Sequence, residues 1–241
     1  MRWAGLGLLL LLGCAHRASV AVGPPLPGRA PGTYQEKVTL TDGHSLTYVL
    51  VLPEPGPRPP PLVVALHYAG TVHPYFSQGI VEQLVRPALS ALGAIVVAPD
   101  VLEDRDWNAE VNERAVVELT SRVIQSYGAD PERVALMGYS MGGRGTWSIG
   151  TAHPDLFSAL IPMAAPPTPS SAFPPQAPIY VIQSRDDELV PREELVRAID
   201  GLQRRGYRIE LHLVDGLEHA DIAGFVEPLR AAGAWLQQGW D

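Results

Sequence analysis

The stretch VALMGYSMGGRGTW, Val134 to Trp147, decides the fold. It runs as continuous apolar residues into Gly138, places Ser140 between Gly138 and Gly142, and follows with Gly143. An unbroken apolar run of this length suits a strand covered on both faces, and the segment after the serine suits a helix. With no side chain at Gly138 or Gly142, the neighbouring strand and helix can close on the turn, so the serine between them takes a strained conformation. A serine presented in this way, G-x-S-x-G at a strand-to-helix turn, is placed to act as a nucleophile. The other use of a glycine-rich turn, cradling a phosphate, wants a lysine beside the serine or threonine. None stands there.

The same kind of apolar run recurs on either side of this stretch. LVVALH (Leu62 to His67), AIVVAPD (Ala94 to Asp100), ALIPMA (Ala159 to Ala164), IYVIQS (Ile179 to Ser184) and RIELHLV (Arg208 to Val214) read as strands. Helical segments are expected at Gln78 to Leu92, Glu110 to Tyr127, Gly143 to Ala152, Arg192 to Arg205 and Ala220 to Gln238. Alternation of this kind predicts a doubly wound α/β domain with a mostly parallel sheet. Ahead of it, Tyr34 to Leu40 and Ser45 to Leu52 flank Thr41-Asp42-Gly43-His44, a hairpin signal that predicts an antiparallel opening. Chemistry in such sheets gathers at the carboxyl ends of the strands.

At 241 residues and 46% hydrophobic composition, one core and one domain are expected, from Tyr34 to Asp241. The net charge of −8 supplies no basic field for a phosphate backbone, so nucleic acid is excluded as an expected partner. The apolar segment Trp3 to Gly13 is about half the roughly 20 residues that span a bilayer, and reads as a secretory signal. It ends in Leu11-Leu12-Gly13-Cys14, which resembles a bacterial lipobox and implies lipidation at Cys14, export, and attachment to a membrane on its periplasmic or outer side, with an ordinary cleaved signal or an uncleaved anchor as the alternatives. Cys14 is the only cysteine, which excludes an intrachain disulfide. Residues 14–33, rich in proline and glycine, read as a tether. The scattered histidines give no metal-ligand spacing, and neither metal nor cofactor is expected.

From Tyr34 onward the chain resembles the α/β-hydrolase superfamily, and the residues that carry this are the elbow above, QSRDDELVP (Gln183 to Pro191) and HYAG (His67 to Gly70). DPERVALMGYSMGGRGTWSIGTAHPDLFSALIPMA (Asp130 to Ala164) is similar to phospholipase/carboxylesterase, feruloyl esterase and polyhydroxybutyrate depolymerase-type esterases, and to prolyl oligopeptidase catalytic domains. The resemblance implies a triad in the order serine, acid, histidine. Three histidines follow Ser140. His153 ends the elbow helix, about 15 Å away, and His212 lies inside a strand, whereas His219 follows the last strand at its carboxyl edge. Laid over the HG-x-x-D-x-x-VP segment of α/β-hydrolases, QSRDDELVP places the acid at Asp187, with Asp186 the alternative and Gln183-Ser184 standing where His-Gly is usual.

The resemblance also implies an oxyanion hole built from the Met141 N–H and a donor in the loop after the first parallel strand. Two donors stand open there: the Ala69 N–H, or the phenol of Tyr68, which occupies the place of a glycine in most α/β-hydrolases and resembles the post-strand tyrosine of the peptidases. Tyr75, Phe76 and Trp107 fall in loops at the same edge and are candidate aromatic walls, with a packed loop residue as the alternative reading of each. Only Ala165 to Pro178 separates the strands between which many relatives insert a cap, so no cap and an open site are expected. Together these favour a carboxylic ester hydrolase working through an acyl-enzyme, with a short-peptide hydrolase as the alternative. A non-catalytic binding lipoprotein would be marked by a missing triad member, and all three residue types are present in order.

Overall fold

The computed structural model describes residues 23–71, 73–102, 106–169 and 177–241, so Cys14 and the signal-like segment lie outside it. Two strands open the described chain, β1 (Gly32–Thr39) and β2 (Ser45–Leu52). β1 alternates between exposed residues and half-buried ones that end in the buried Val38, as an edge strand does, and pairs antiparallel with β2. Then come five strands without an exposed residue, β3 (Leu62–Leu66), β4 (Ile95–Pro99), β5 (Val134–Tyr139), β6 (Ala159–Met163) and β7 (Ile179–Ser184), and a half-exposed β8 (Ile209–Val214). Their order is β1-β2-β4-β3-β5-β6-β7-β8, with β2 antiparallel to β4 and every later pairing parallel. This is the α/β-hydrolase fold, opened by an antiparallel hairpin as expected.

Two apolar layers sandwich the sheet. One packs α3 (Glu110–Tyr127), α4 (Met141–Ala152) and α5 (Arg192–Arg204) against it through Val116, Leu119, Trp147, Ile149, Leu195 and Ile199. On the other side, α6 (Val226–Trp240) and the helical run from residue 78 to 92 bury Leu229, Leu236, Ile80, Leu84 and Val85. That run is not the single α-helix expected. It consists of α1 (Gln78–Ile80), a π turn (Val81–Val85), α2 (Arg86–Leu89) and a 3-10 turn (Ser90–Leu92). Pro87 has no N–H, and in α register its ring would press on a carbonyl one turn back. In the wider π turn the Arg86 N–H reaches Val81 O instead. The last helix also starts later than expected, a 3-10 turn (Ile222–Phe225) leading into α6.

Packing begins before Tyr34, which corrects the expected tether boundary. Leu26 is buried, its N–H donates to Ser126 Oγ (2.9 Å), and the Tyr127 hydroxyl donates to Pro27 O (2.7 Å). A proline-rich segment loses little entropy on docking, so one apolar side chain and two hydrogen bonds suffice to lay it on α3. The hairpin turn is tied to the same helix. Glu118, buried, accepts from the Thr41 N–H and hydroxyl (2.6 Å), while Arg122 donates to Thr39 O (3.0 Å) and to Glu118 (3.3 Å).

Candidate active site

The sheet changes direction at β3: the chain crosses to β4 on one side and to β5 on the other. Ser140 follows β5 at this switch point, where strand ends leave a crevice. Its φ of 53° and ψ of −112° lie where non-glycine residues rarely go, a strain of about 1–3 kcal/mol. The surroundings hold it there. Its N–H donates to Met163 O (2.9 Å) and its carbonyl accepts from Arg144 N (3.0 Å). A Cβ on Gly138 would run into the Gly142 carbonyl, and one on Gly142 into the Leu66 carbonyl. The following helix and the neighbouring strand β3 thus close on the turn as the glycine spacing predicts. Met141 begins α4, so its N–H belongs to the first turn, which has no intrahelical acceptor.

Ser140, His219 and Asp187 come together in one hydrogen-bonded chain. Ser140 Oγ lies 2.8 Å from His219 Nε2, and His219 Nδ1 lies 3.0 and 2.9 Å from the two Asp187 carboxylate oxygens. With the Nδ1 proton directed at the carboxylate, Nε2 is left to accept from the serine hydroxyl. The Asp187 side chain is fully buried, and N–H groups offset its lost hydration: Leu189 and Val190 donate to Oδ1 (both 2.9 Å), Gln183 Nε2 to Oδ2 (2.8 Å). His153 instead contacts Glu113 (2.8 Å), and His212 stacks on Tyr180 with ring centroids 3.8 Å apart.

The three consecutive acids divide the work. Asp186 accepts from the Gly216 N–H (2.6 Å), Asp187 faces the imidazole, and Glu188 accepts from the His219 N–H (2.9 Å). That last bond holds Glu188 below the ordinary carboxylate range. On the other side, the buried Tyr139 hydroxyl donates to the His219 carbonyl (2.9 Å), and burial, reinforced by the Asp187 charge, pushes this phenol up so that it stays a donor. The histidine peptide is therefore gripped at both its N–H and its C=O. Tyr139, Glu188 and Gln183 were not read as site residues from sequence. Their partners lie 80, 31 and 4 residues away, and only the last separation is short enough to show as a local pattern.

The loop after β3 is built around His67, wholly buried and held by desolvation below the usual histidine range. Val101 N–H donates to its Nε2 (3.1 Å), so Nδ1 carries the proton and donates to Tyr68 O (2.7 Å). Trp107, a candidate pocket wall, is 1% exposed and cannot line an open cleft. Its indole N–H donates to His67 O (2.9 Å) and its ring meets the His67 ring edge-on, so it supports the loop from below. Tyr75 and Phe76 are half-buried. Phe76 packs against Tyr68, His67 and Gly70, and Tyr75 adopts φ 64° because the buried Asp100 carboxylate accepts from the Tyr75 (2.6 Å) and Ser77 (2.8 Å) N–H groups. The Tyr68 hydroxyl sits against Gly79, 3.5 Å from Gln83 Nε2, and makes no hydrogen bond to the triad among the described residues. Ala69 is exposed, and its N–H has no acceptor among the described residues.

A cleft of about 650 Å³ lies between Pro131, Leu156, Arg208, Trp235 and Trp240. It opens at the amino ends of β5 to β8, the edge opposite Ser140, and holds none of the triad. Among the described residues no group of histidines, cysteines or carboxylates is arranged to hold a metal ion, and no helix is long and apolar enough to cross a membrane.

Solved structures that share this fold include hydrolases of several kinds. A thermostable esterase is 23% identical with a TM-score of 0.66, over 87% of this chain and 60% of its own. A ferulic acid esterase is 18% identical (TM-score 0.67, 86% and 98% of the two chains). A puromycin-hydrolyzing peptidase from Mycobacterium tuberculosis is 18% identical (TM-score 0.68, 87% and 39%). The chain thus spans less than two thirds of the esterase first named and about two fifths of the peptidase. No curated protein matches it. Its residues 49–234 match the dienelactone hydrolase family, and the chain belongs to that family.

Proposed function

We propose that this protein hydrolyses carboxylic esters through an acyl-enzyme on Ser140. The observation that carries the reading is the 2.8 Å contact between Ser140 Oγ and His219 Nε2, backed by the buried Asp187. Ser140 Oγ attacks the ester carbonyl while its proton passes to Nε2; the charge on Asp187 stabilises the imidazolium so formed. The tetrahedral oxyanion is met by the Met141 N–H at the start of α4 and by the Ala69 N–H, each such donor contributing about 3 to 4 kcal/mol. Ala69 is preferred to the Tyr68 phenol because that hydroxyl is directed toward Gly79 and Gln83. The imidazolium returns its proton to the departing alkoxide. Water, deprotonated by the same nitrogen, then releases the acid and regenerates Ser140.

Family membership and the esterases that share the fold support esters over peptides as substrates. Tyr75 and Phe76 supply aromatic surface beside the oxyanion loop for a small-molecule acyl or alcohol group. Attachment to a membrane through a lipid on Cys14, with the domain exported, is proposed from the lipobox-like sequence alone. Fatty-acid labelling that persists in Cys14→Ala would refute it.

The activity is tested with p-nitrophenyl esters of increasing chain length, hydroxycinnamate esters and aminoacyl-p-nitroanilides, alongside a fluorophosphonate probe. Ester turnover and probe labelling, both lost in Ser140→Ala, are expected. Faster cleavage of anilides than of esters overturns the substrate class, and a folded protein that neither labels nor turns over overturns the reaction.

A further inference from the structure

We propose that Gln183 is a positioning residue for this reaction, fixing the plane of the Asp187 carboxylate with an amide that does not titrate. The inference rests on the triad reading above.

Gln183 is the penultimate residue of β7 and is wholly buried. Its Nε2 donates to Asp187 Oδ2 at 2.8 Å and lies 3.3 Å from Ser184 O and 3.5 Å from Val190 O. Its Oε1 is buried with no hydrogen-bond partner among the described residues. An unpaired buried acceptor is costly, and an apolar side chain of the same size would avoid it. The useful half of this amide is its N–H.

The two Asp187 oxygens are held differently. Oδ1 takes the Leu189 and Val190 N–H groups, both from the loop that carries Asp187 itself. Apart from His219, the partner of Oδ2 among the described residues is Gln183, which sits on a strand of the sheet. One oxygen pinned by a loop leaves a carboxylate free to turn about its last side-chain torsion; a second point, on a rigid element, stops it. His219 Nδ1 is almost equidistant from both oxygens, so any turn of the carboxylate plane alters that contact directly. The amide does this without a charge. A histidine at the same place, as the related segment usually has, would put a second titrating ring on the acid, whereas with Gln183 the one imidazole on Asp187 among the described residues is that of His219.

The test uses the whole protein with Gln183→Met, which keeps length and apolar volume but donates nothing, and Gln183→Glu. In the methionine variant, kcat on a p-nitrophenyl ester should fall on the order of 10- to 100-fold with KM within about twofold. Fluorophosphonate labelling should slow in parallel yet still reach completion on Ser140. In the glutamate variant the two neighbouring carboxyls share one proton at low pH, and the protonated Glu donates in place of the amide. Its kcat should approach wild type at the acidic end of the plateau and decline on the alkaline side, where wild type stays flat. A folded methionine variant with kcat within twofold of wild type overturns the proposal, as does a loss confined to KM. Should the methionine variant fail to fold, the glutamate variant decides: equal activity losses at every pH indicate packing alone and overturn it. Unreactive, folded wild-type protein would overturn the triad reading and this inference together; labelled wild type with unaffected variants overturns this inference alone.

Discussion

The Ser140 elbow and the paired loops carrying Asp187 and His219 meet across 2.8 Å, yet opposite kinds of constraint hold them. At the elbow, precision comes from missing atoms: Gly138 and Gly142 let the backbones of Leu66 and Gly142 close in, and the serine has nowhere else to go. Across from it, precision comes from added atoms. Asp186, Glu188, Gln183 and Tyr139 each spend a polar side chain on the loops that carry the other two triad members. The first kind of constraint is steric and steep, the second is a sum of individually modest bonds. Damage to the two should therefore differ in size and in character.

The sharpest break is Gly142→Ala. Its new Cβ meets backbone at Leu66, which cannot swing aside, so a loss of roughly 3 kcal/mol or more of stability is expected, with turnover reduced about 100-fold in whatever folds. Urea unfolding and kcat measure both, and near-wild-type values for both would show that the elbow is not sterically set. Next is a pH effect at His67, whose burial holds it below its unfolded value. A depressed folded value means that stability is complete above about pH 6.5 and drains away as the pH falls, because the unfolded chain takes up the proton first. The slope should reach at most about 1.4 kcal/mol per pH unit. Urea midpoints at pH 7.5 and 5.5 should diverge in wild type more than in His67→Gln; equal divergence would sink the assignment.

On the stitched side, Glu188→Gln and Asp186→Asn should each lower kcat only about 3- to 10-fold, with KM little changed, and the double variant should lose more than either alone. Glu188 is also held low by the His219 N–H, so its bond is intact above the ordinary glutamate range and lost as the pH drops through the lower folded value. An acid loss of activity in wild type that is identical in Glu188→Gln would rule out this contribution. The smallest effect expected is that of Tyr68→Phe, within about twofold in kcat, since the hydroxyl lies against Gly79. A fall of 100-fold would instead make the phenol an oxyanion donor.

The contrast also explains what could be read in advance. Strands with both faces covered must be continuously apolar, so β3 to β7 stood out, and glycine spacing marks the elbow because its cause is local. The separate tasks of Asp186, Asp187 and Glu188 have no local cause, since they depend on where Gly216 and His219 arrive some thirty residues later. Whether Trp107 lines a pocket or packs inward was open for a related reason. A lone aromatic in a loop carries no periodicity, and only the packing of its ring under His67 reveals that it faces inward. The early docking at Leu26 was hidden by proline and glycine around it, which usually signal an unpacked stretch.

The π turn at Val81–Val85 bears on how this helix varies in length. A π turn holds one residue more than the α turn it replaces. Pro87 and that extra residue therefore form a matched pair: with the proline, the surplus residue is accommodated as a bulge; without it, the run closes as ordinary helix one residue shorter. Deleting a single residue within 81–85 should be harmful alone and tolerated together with Pro87→Ala. In homologous chains, a gap of one position here should travel with the loss of that proline.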